Sequence, residues 1–157
     1  EMAQALGHTY AQHHKEHGAD VRINLALARA MSTQDYIQAQ RVRRRMINHL
    51  TQVFKQVDVI MTPTTGITAP RIRPKALSGG ESDLTTLFEI MRFATLANLT
   101  GLPAISFPAG YDPAGLPIGM QAIGPAWQES LLLRVASFTE RLIEKRKPAI
   151  HYSVLSK

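Results

Sequence analysis

Apolar residues that recur every three or four positions predict helices in the first third of the chain. The clearest of these helices follows Ser32, which together with Asp35 forms an acidic version of a capping box. Residues 2–17 have a composition compatible with a helix that stops at Gly18, a residue type common just past a helix end. A further short helix is predicted over 21–31. This part of the chain is therefore predicted to be helical.

The same periodicity predicts two more helices in the rest of the chain. The first begins at the cap Ser82, carries its apolar residues along one stripe and ends before Gly101. The second runs from about Gln128 to Glu144 and ends near Pro148. This helix is predicted to present Leu131, Val135, Phe138 and Leu142 on one face.

Short β-branched or alternating runs predict three strands. The segment "VDVIMTP" is predicted to be a buried strand that stops at Pro63, and "PAISFPAG" and "LPIGMQAIG" are predicted to be two strands joined by the turn "YDPAG". Residues 64–82 are rich in Thr, Pro, Gly and basic residues and predict a long loop. The order of these elements predicts an α/β fold with a mixed β-sheet flanked by helices.

The composition fits one globular domain. The chain has 157 residues, of which 45% are hydrophobic and 19% charged. The net charge of +6 favours anionic partners without specifying one. The absence of cysteine excludes disulfides and thiolate catalysis within the chain, and no apolar run approaches the roughly 18 to 20 residues of a membrane-spanning helix. We expect a soluble protein, or one that attaches to membranes only at their surface.

Three polar features are candidates for chemistry, and each favours a plainer interpretation. The histidines of "GHTYAQHHKEHG" lack the HExxH order and a third placed ligand, so a solvated helix is favoured over a metal site. The segment "SGGES", residues 78–82, lacks both nucleophile-elbow spacing and a Walker lysine, so a loop and helix cap are favoured. Ser106 has no base paired with it in the linear sequence and is predicted to be a buried, hydrogen-bonded strand serine.

Four arginines crowd the run "RVRRRM" inside the predicted long helix. No aromatic residue is interleaved with them, and no nucleic-acid-binding signature accompanies them. A solvated or interface face is therefore favoured, and phosphate binding is the main alternative. We expect no nucleic-acid partner, because no such signature is present. A nucleic-acid binder is the weaker alternative, and it predicts strongly salt-dependent affinity for DNA or RNA. The four residues are Arg41, Arg43, Arg44 and Arg45.

Several segments, in the right order, resemble the carboxy-terminal portion of the amidase signature family. They are "VDVIMTPTTGITAP", "NLTGLPAISFPAGYDPAGLPIGMQAIG" and "PAWQESLLLRVASFTERL". Within that family, "DYIQAQRVRRRM", "MRFATLANLTGLPAIS" and "KPAIHYSVL" resemble the plant fatty acid amide hydrolases. The similarity runs from about Val21 to the end. It implies that 1–157 is the C-terminal segment of an amidase domain and an incomplete part of its fold, in which 1–20 is a poorly matched N-terminal helix.

The resemblance implies a parent reaction, the hydrolysis of N-acylethanolamines to a fatty acid and ethanolamine, with no metal or organic cofactor. The Ser, cis-Ser, Lys triad of the family lies in the part that precedes these segments, so no catalytic residue is assigned here. We therefore expect a fragment that is inactive alone, because nucleophile and base are absent. The motif "PTTG" is expected to form a structural turn near the site and to have no catalytic role. The alternative is a non-catalytic acyl-amide-binding or regulatory module that pairs with a full-length amidase.

The resemblance also implies which residues of this chain bind the substrate. It implies that six apolar residues line the channel for the acyl chain, and flexible apolar walls suit such a ligand. Leu87 and Phe88 stand where the plant enzymes have hydroxyl-type residues, which would narrow or dry the channel. The implied partners are a fatty acid amide, a second copy or a full-length amidase, and a peripheral contact with endomembranes inside the cell. The six residues are Leu27, Met31, Leu84, Leu87, Phe88 and Met91.

Overall fold

The computed structural model describes residues 1–72, 83–144 and 146. In these ranges a helical amino-terminal part is followed by a small sheet with further helices around it, which agrees with the predicted combination of helices and strands. The helices are α1 (Met2–Ala5), α2 (Gly7–His13), α3 (Ala19–Ala30), α4 (Thr33–Val53), α5 (Leu84–Met91), α6 (Thr95–Thr100) and α7 (Glu129–Glu140), and the strands are β1 (Ile60–Pro63), β2 (Ala104–Tyr111) and β3 (Pro117–Ile123).

The helix predicted over 2–17 is divided into α1 and α2. The chain leaves regular helical geometry at Leu6 (φ −96°, ψ 0°), where Gly7 follows and adds backbone freedom. Gly18 has an extended conformation (φ −58°, ψ 158°) and is the N-cap of α3, so its predicted role as the stop of the preceding helix is wrong. The predicted helix over 21–31 is confirmed as α3.

The predicted capping box at the start of α4 is confirmed. Ser32 Oγ accepts the backbone N–H of Asp35 (3.1 Å), and the Asp35 carboxylate accepts the backbone N–H of Ser32 (2.9 Å) and its hydroxyl (2.7 Å). These hydrogen bonds, first the one from the side chain and then the one from the backbone, hold the pKa of Asp35 below its ordinary value of 3.8. Local sequence therefore fixes where the longest helix begins. No helix in the described ranges is long and apolar enough to cross a membrane.

The single helix predicted from Ser82 to before Gly101 is two helices, α5 and α6, separated by residues 92–94. Asp83 caps α5, because its carboxylate accepts the backbone N–H of Thr86 (3.1 Å). Ser82 and the rest of the motif "SGGES" lie outside the described residues. The predicted end is confirmed, since Gly101 closes α6 with a positive φ of 70° that suits glycine.

The three strands form one sheet in the order β1-β3-β2. Both pairings are antiparallel, so the described strands do not show the mixed directions that the sequence predicts. For the pair β2 and β3 the reason is the short turn that joins them, because a turn of this length can connect antiparallel strands only. Asp112 closes this predicted turn by accepting the backbone N–H groups of Ala114 (2.9 Å) and Leu116 (2.8 Å). The loop predicted over 64–82 contains no helix or strand in its described part, residues 64–72.

The core lies between α7 and one face of the sheet. Phe107, Ala122 and Leu132 form its buried cluster. The predicted apolar face of α7 is only partly buried, because Phe138 and Leu142 are each 67% exposed. The helix is turned so that Leu132 faces the sheet, and it ends before Leu142. β1 is also less buried than predicted, since its residues alternate between half-buried and exposed at the sheet edge.

Candidate functional site

One face of the sheet carries a row of polar side chains. Thr62, Gln121 and Ser106 lie opposite one another on β1, β3 and β2 in the strand register. Gln121 is 8% exposed, and its Nε2 donates to Thr62 Oγ1 (3.1 Å) and to the backbone oxygen of Phe93 (3.2 Å). The apolar cluster lies on the other face, because neighbouring residues of a strand alternate between faces. Gln121 thus ties the sheet to the segment between α5 and α6.

A pair of hydroxyl groups bridges the sheet beside this row. Thr64, just past β1, and Ser106 of β2 have their oxygen atoms 2.7 Å apart. They meet over Gly119 of β3, where a Cβ would lie 2.9 Å from Thr64 Oγ1. Ser106 is exposed, so its predicted burial is wrong, whereas its predicted hydrogen bond is confirmed. The bridge therefore depends on the missing side chain at position 119.

The hydroxyl pair is chemically neutral. Each hydroxyl can donate one hydrogen bond and accept others. In the part of the chain that the structure describes, neither hydroxyl is bonded to a histidine, a lysine or a carboxylate that would act as its base. Thr64 and Ser106 can join the two outer strands or bind a polar group, but they cannot make a nucleophile by themselves.

The motif "PTTG", residues 63–66, joins the end of β1 to two neighbouring elements. The backbone N–H of Thr64 donates to the Gly119 oxygen (2.9 Å), and that of Gly66 donates to the Glu89 oxygen (3.1 Å). A Cβ at Gly66 would collide with the same backbone oxygen of Glu89. The segment therefore brings the end of β1 against both β3 and α5, and glycine is needed for that close approach.

Thr64 and Gln121 were not among the residues predicted from the sequence to be functional. A signal for them was present in the strands, where a polar residue alternates with apolar ones, as in "MQAI". That alternation assigns a polar side chain to one face, but the partner across the sheet depends on strand register. The register, and with it the hydrogen-bonded row, becomes visible only in the folded chain.

The six residues predicted to line an acyl channel fall into two groups. Leu27 lies on α3 and Met31 at its end, and they are 50% and 71% exposed. The other four lie on one face of α5, where Phe88 is 73% exposed. No extensive interface joins α3 to α5 among the described residues, so the structure groups the α5 residues but does not bring both groups together. The residues of the α5 stripe are Leu84, Leu87, Phe88 and Met91.

The α5 stripe is a surface rather than a core of the described chain. Leu87 and Met91 are 40% and 41% exposed, and Leu84 is half-buried. Apolar residues scattered singly over a surface need no explanation, but a contiguous patch marks a place that binds another molecule or another part of a protein. The stripe is therefore available to line a binding surface.

Two pockets lie on either side of Leu50, where α4 contacts α6. One pocket of about 360 Å³ extends toward Gly101 and Pro125, and the other, of about 410 Å³, extends along α4 past His49. None of the six predicted channel residues lines either pocket. Met31 lines a third pocket, between α1, α3 and the start of α4. The described cavities thus lie apart from the α5 stripe.

All four arginines of α4 are exposed, and one of them is bonded to a neighbouring helix. Arg43 lies on the same side of the helix as Leu50, two turns further on, and its Nε donates to the Leu99 backbone oxygen (2.6 Å) at the end of α6. The other three are exposed and have no hydrogen-bond or ion-pair partner among the described residues. The favoured solvated face is therefore Arg41, Arg44 and Arg45, while Arg43 joins two helices.

The histidine-rich segment packs around an aromatic ring. Tyr10 stacks on His17 with ring centroids 5.7 Å apart, and the Arg29 guanidinium lies 4.4 Å from the Tyr10 centroid. His13 instead contacts Glu16, with Nδ1 and Oε1 3.0 Å apart. In the described ranges these side chains hold the short helices together, and no group of three potential ligands converges on one point.

Comparison with known proteins places this architecture in a family. A curated fatty acid amide hydrolase from Medicago truncatula is 53% identical over 138 residues, which are 87% of this chain and 23% of that protein. A subunit of the glutamyl-tRNA(Gln) amidotransferase from Thermotoga maritima superposes with a TM-score of 0.59 and 34% identity, over 72% of this chain and 24% of that one. The crystal structure of an amidase shares the fold, with a TM-score of 0.75 and 21% identity over 90% of this chain and 32% of that one.

The similarity covers most of this chain but only a small part of each relative. The chain spans 23% to 25% of the length of the curated plant relatives it matches. The family model described as Amidase matches residues 7–133, which begins before the resemblance recognised from about Val21. Since this match covers most of the sequence, the chain belongs to the amidase family.

Proposed function

We propose that this chain forms the acyl-binding side of an amidase like the plant fatty acid amide hydrolases. The proposed parent reaction is the hydrolysis of an N-acylethanolamine to a fatty acid and ethanolamine. The observation that carries the proposal is the 53% identity to the Medicago truncatula fatty acid amide hydrolase over 87% of the chain. In this proposal residues 1–157 correspond to the carboxy-terminal segment of the amidase domain.

The proposed contact with the acyl chain is the α5 stripe together with Leu27 and Met31. Support comes from the exposure of these apolar side chains, since an exposed apolar stripe has area to bury against a ligand. Each methylene group buried there contributes about 0.8 kcal/mol. Met31 and Met91 add flexible, polarizable side chains that adapt to an irregular ligand surface.

Catalysis in this proposal requires the Ser, cis-Ser, Lys triad of the family from sequence outside residues 1–157. Support comes from the hydroxyl pair of Thr64 and Ser106, which lacks a bonded base among the described residues. Attack on an amide carbonyl needs a deprotonated nucleophile, and the departing amine needs a proton donor. The isolated chain is therefore proposed to bind acyl groups without hydrolysing them.

The partner of the chain in this proposal is the remainder of an amidase domain, either covalently joined or as a separate full-length amidase. Support comes from the large apolar side chains that stay exposed on several elements, including Phe88, Leu133 and Phe138. In this proposal the remainder of the amidase domain covers part of this exposed apolar surface. Because the substrates are amphiphiles with long apolar chains, we place the protein inside the cell at the surface of endomembranes.

A hybrid enzyme tests the proposed function. In it, this chain replaces the matching segment of the Medicago truncatula enzyme, and release of ethanolamine from N-acylethanolamines of different chain length is measured. We expect hydrolysis by the hybrid. Replacing Phe88 with alanine should change the ratio of kcat/KM between long and short acyl chains by roughly fivefold, the equivalent of one or two methylene contacts.

The matched control is Leu133→Ala on α7, which removes another largely exposed apolar side chain (61% exposed, against 73% for Phe88) away from the stripe. This variant should leave the chain-length ratio unchanged. A folded hybrid without amidase activity would refute the parent function. An active hybrid in which the Phe88 and Leu133 variants behave alike would refute the acyl contact. The isolated 157-residue chain should show no turnover, and hydrolysis that copurifies with it through successive columns would contradict the assignment of the triad elsewhere.

A further inference from the structure

The groove beside Leu50 combines an apolar wall with a basic rim. It has a volume of about 410 Å³ and lies along one flank of α4, where α6 contributes one side chain. The groove is open to solvent, and it combines apolar lining with a few polar groups, as small-molecule sites do. Its lining residues are Val42, Arg45, Met46, His49, Leu50 and Leu96.

The two polar lining residues are placed to act on one ligand group. Arg45 and His49 are four residues apart on α4, so their side chains project from the same flank of the helix. Both are exposed, and the apolar wall of the groove begins directly beside them at Met46 and Val42. A ligand group bound between the guanidinium and the imidazole would thus continue into apolar surroundings.

The positive charge at this rim has no acidic partner among the described residues. The sequence contains no aspartate or glutamate between Asp35 and Asp58, and the Asp35 carboxylate accepts hydrogen bonds from Ser32. Arg45 has no ion-pair or hydrogen-bond partner in the described part of the chain, and exposed Arg41 and Arg44 lie within about a turn of it. A guanidinium binds a carboxylate through two parallel hydrogen bonds, which suits an anionic ligand from solution.

We propose that this groove binds a single-chain anionic amphiphile, a fatty acid whose carboxylate contacts Arg45 and whose chain lies along Val42, Met46, Leu50 and Leu96. The choice of a fatty acid rests on the proposed function, because that acid is the product of the proposed reaction. The site is separate from the α5 stripe, which would contact the neutral amide. A nucleic-acid backbone uses basic residues but not the apolar wall beside them.

Direct binding measurements test this site without any hydrolysis. Laurate, octanoate and neutral lauroyl ethanolamide are titrated into the purified chain by isothermal calorimetry, at concentrations where the ligands stay monomeric. Laurate should bind at least tenfold more tightly than octanoate, because a fully buried methylene contributes about fourfold in affinity. Arg45→Gln should weaken laurate binding roughly fivefold to tenfold and leave lauroyl ethanolamide binding unchanged.

The matched control is Arg22→Gln, which removes the same charge from an exposed position on α3. It should leave laurate affinity unchanged, and circular dichroism should show that both variants keep the helical content. Equal affinities for laurate and octanoate would overturn the proposal, since they would show attraction of the anion alone. Equal losses in the Arg22 and Arg45 variants would overturn it as well. These binding measurements do not depend on hydrolysis by the hybrid enzyme. Failure of the fatty-acid site can therefore be distinguished from failure of the proposed function.

Discussion

A single methyl group at position 119 tests the hydroxyl bridge across the sheet. In Gly119→Ala the new Cβ would lie 2.9 Å from Thr64 Oγ1 and 3.5 Å from Ser106 Oγ, and the first distance is shorter than real Cβ contacts. The Gly119 φ is not in the positive region, so the backbone itself accepts alanine. The substitution therefore acts through the contact, and the Thr64 hydroxyl has to move away from Ser106.

The magnitude follows from three contributions. Overpacking costs about 1–3 kcal/mol, and the lost hydroxyl bond costs about 1 kcal/mol. Replacing glycine inside a strand returns about 0.5–1 kcal/mol, because alanine loses less conformational freedom on folding. We expect the free energy of unfolding to fall by about 2 kcal/mol. Urea unfolding followed by circular dichroism should show a midpoint about 1 M lower at an unchanged slope.

Two companion variants decide whether the mechanism is right. Thr64→Ala removes the colliding oxygen, so Gly119→Ala should cost much less in that background than alone, and the two changes should be strongly non-additive. Gly7→Ala is the control, because nothing lies within 4 Å of the position that its methyl group would take, and it should not destabilise the chain. An additive double variant, or a neutral Gly119→Ala, would refute the steric argument.

Three further substitutions test contacts that join elements. Arg43→Gln should lower the free energy of unfolding by about 1 kcal/mol in urea unfolding, because α6 loses its hydrogen bond to α4, whereas Arg44→Gln should be neutral; equal effects would contradict the assignment. Ser32→Ala should cost about 1 kcal/mol through loss of the cap. The same variant should lose less stability than the unchanged chain when the pH falls below about 4. The reason is that the lowered pKa of Asp35 stabilises the fold only above that range. An unchanged dependence of the free energy of unfolding on pH would contradict this cause. Gly66→Ala should cost more than about 2 kcal/mol by thermal unfolding, because its methyl group meets the Glu89 backbone, and a neutral result would exclude that close approach.

Local sequence predicted the elements whose causes are local. Helix α4 begins at Ser32 because the serine and the aspartate three places on bond each other's backbone N–H groups. The turn at Asp112 follows from a side chain that accepts nearby N–H groups. The division of the helix after Asp83 at residues 92–94 was missed, since neither proline nor glycine marks it in the sequence.

Burial was predicted less well, because it depends on what covers each face. The period of three or four residues correctly placed the α5 side chains on one stripe, but the exposure of Phe88 depends on neighbours that no periodicity supplies. The same holds for β1, which has the apolar composition of a covered strand and lies at a sheet edge. Ser106 shows the converse, since its hydrogen bond was predicted and its exposure was not.

The arginine run shows how phase along a helix separates residues that look equivalent in the sequence. Arg43 and Arg44 are neighbours, yet a step of one residue turns the side chain by about 100°, so one reaches the Leu99 oxygen and the other faces solvent. Arg43 shares its side of α4 with Leu50 two turns later, and this relation was already readable from the sequence. Arg41, Arg44 and Arg45 have no hydrogen-bond or ion-pair partner among the described residues, and Arg45 has an apolar wall next to it.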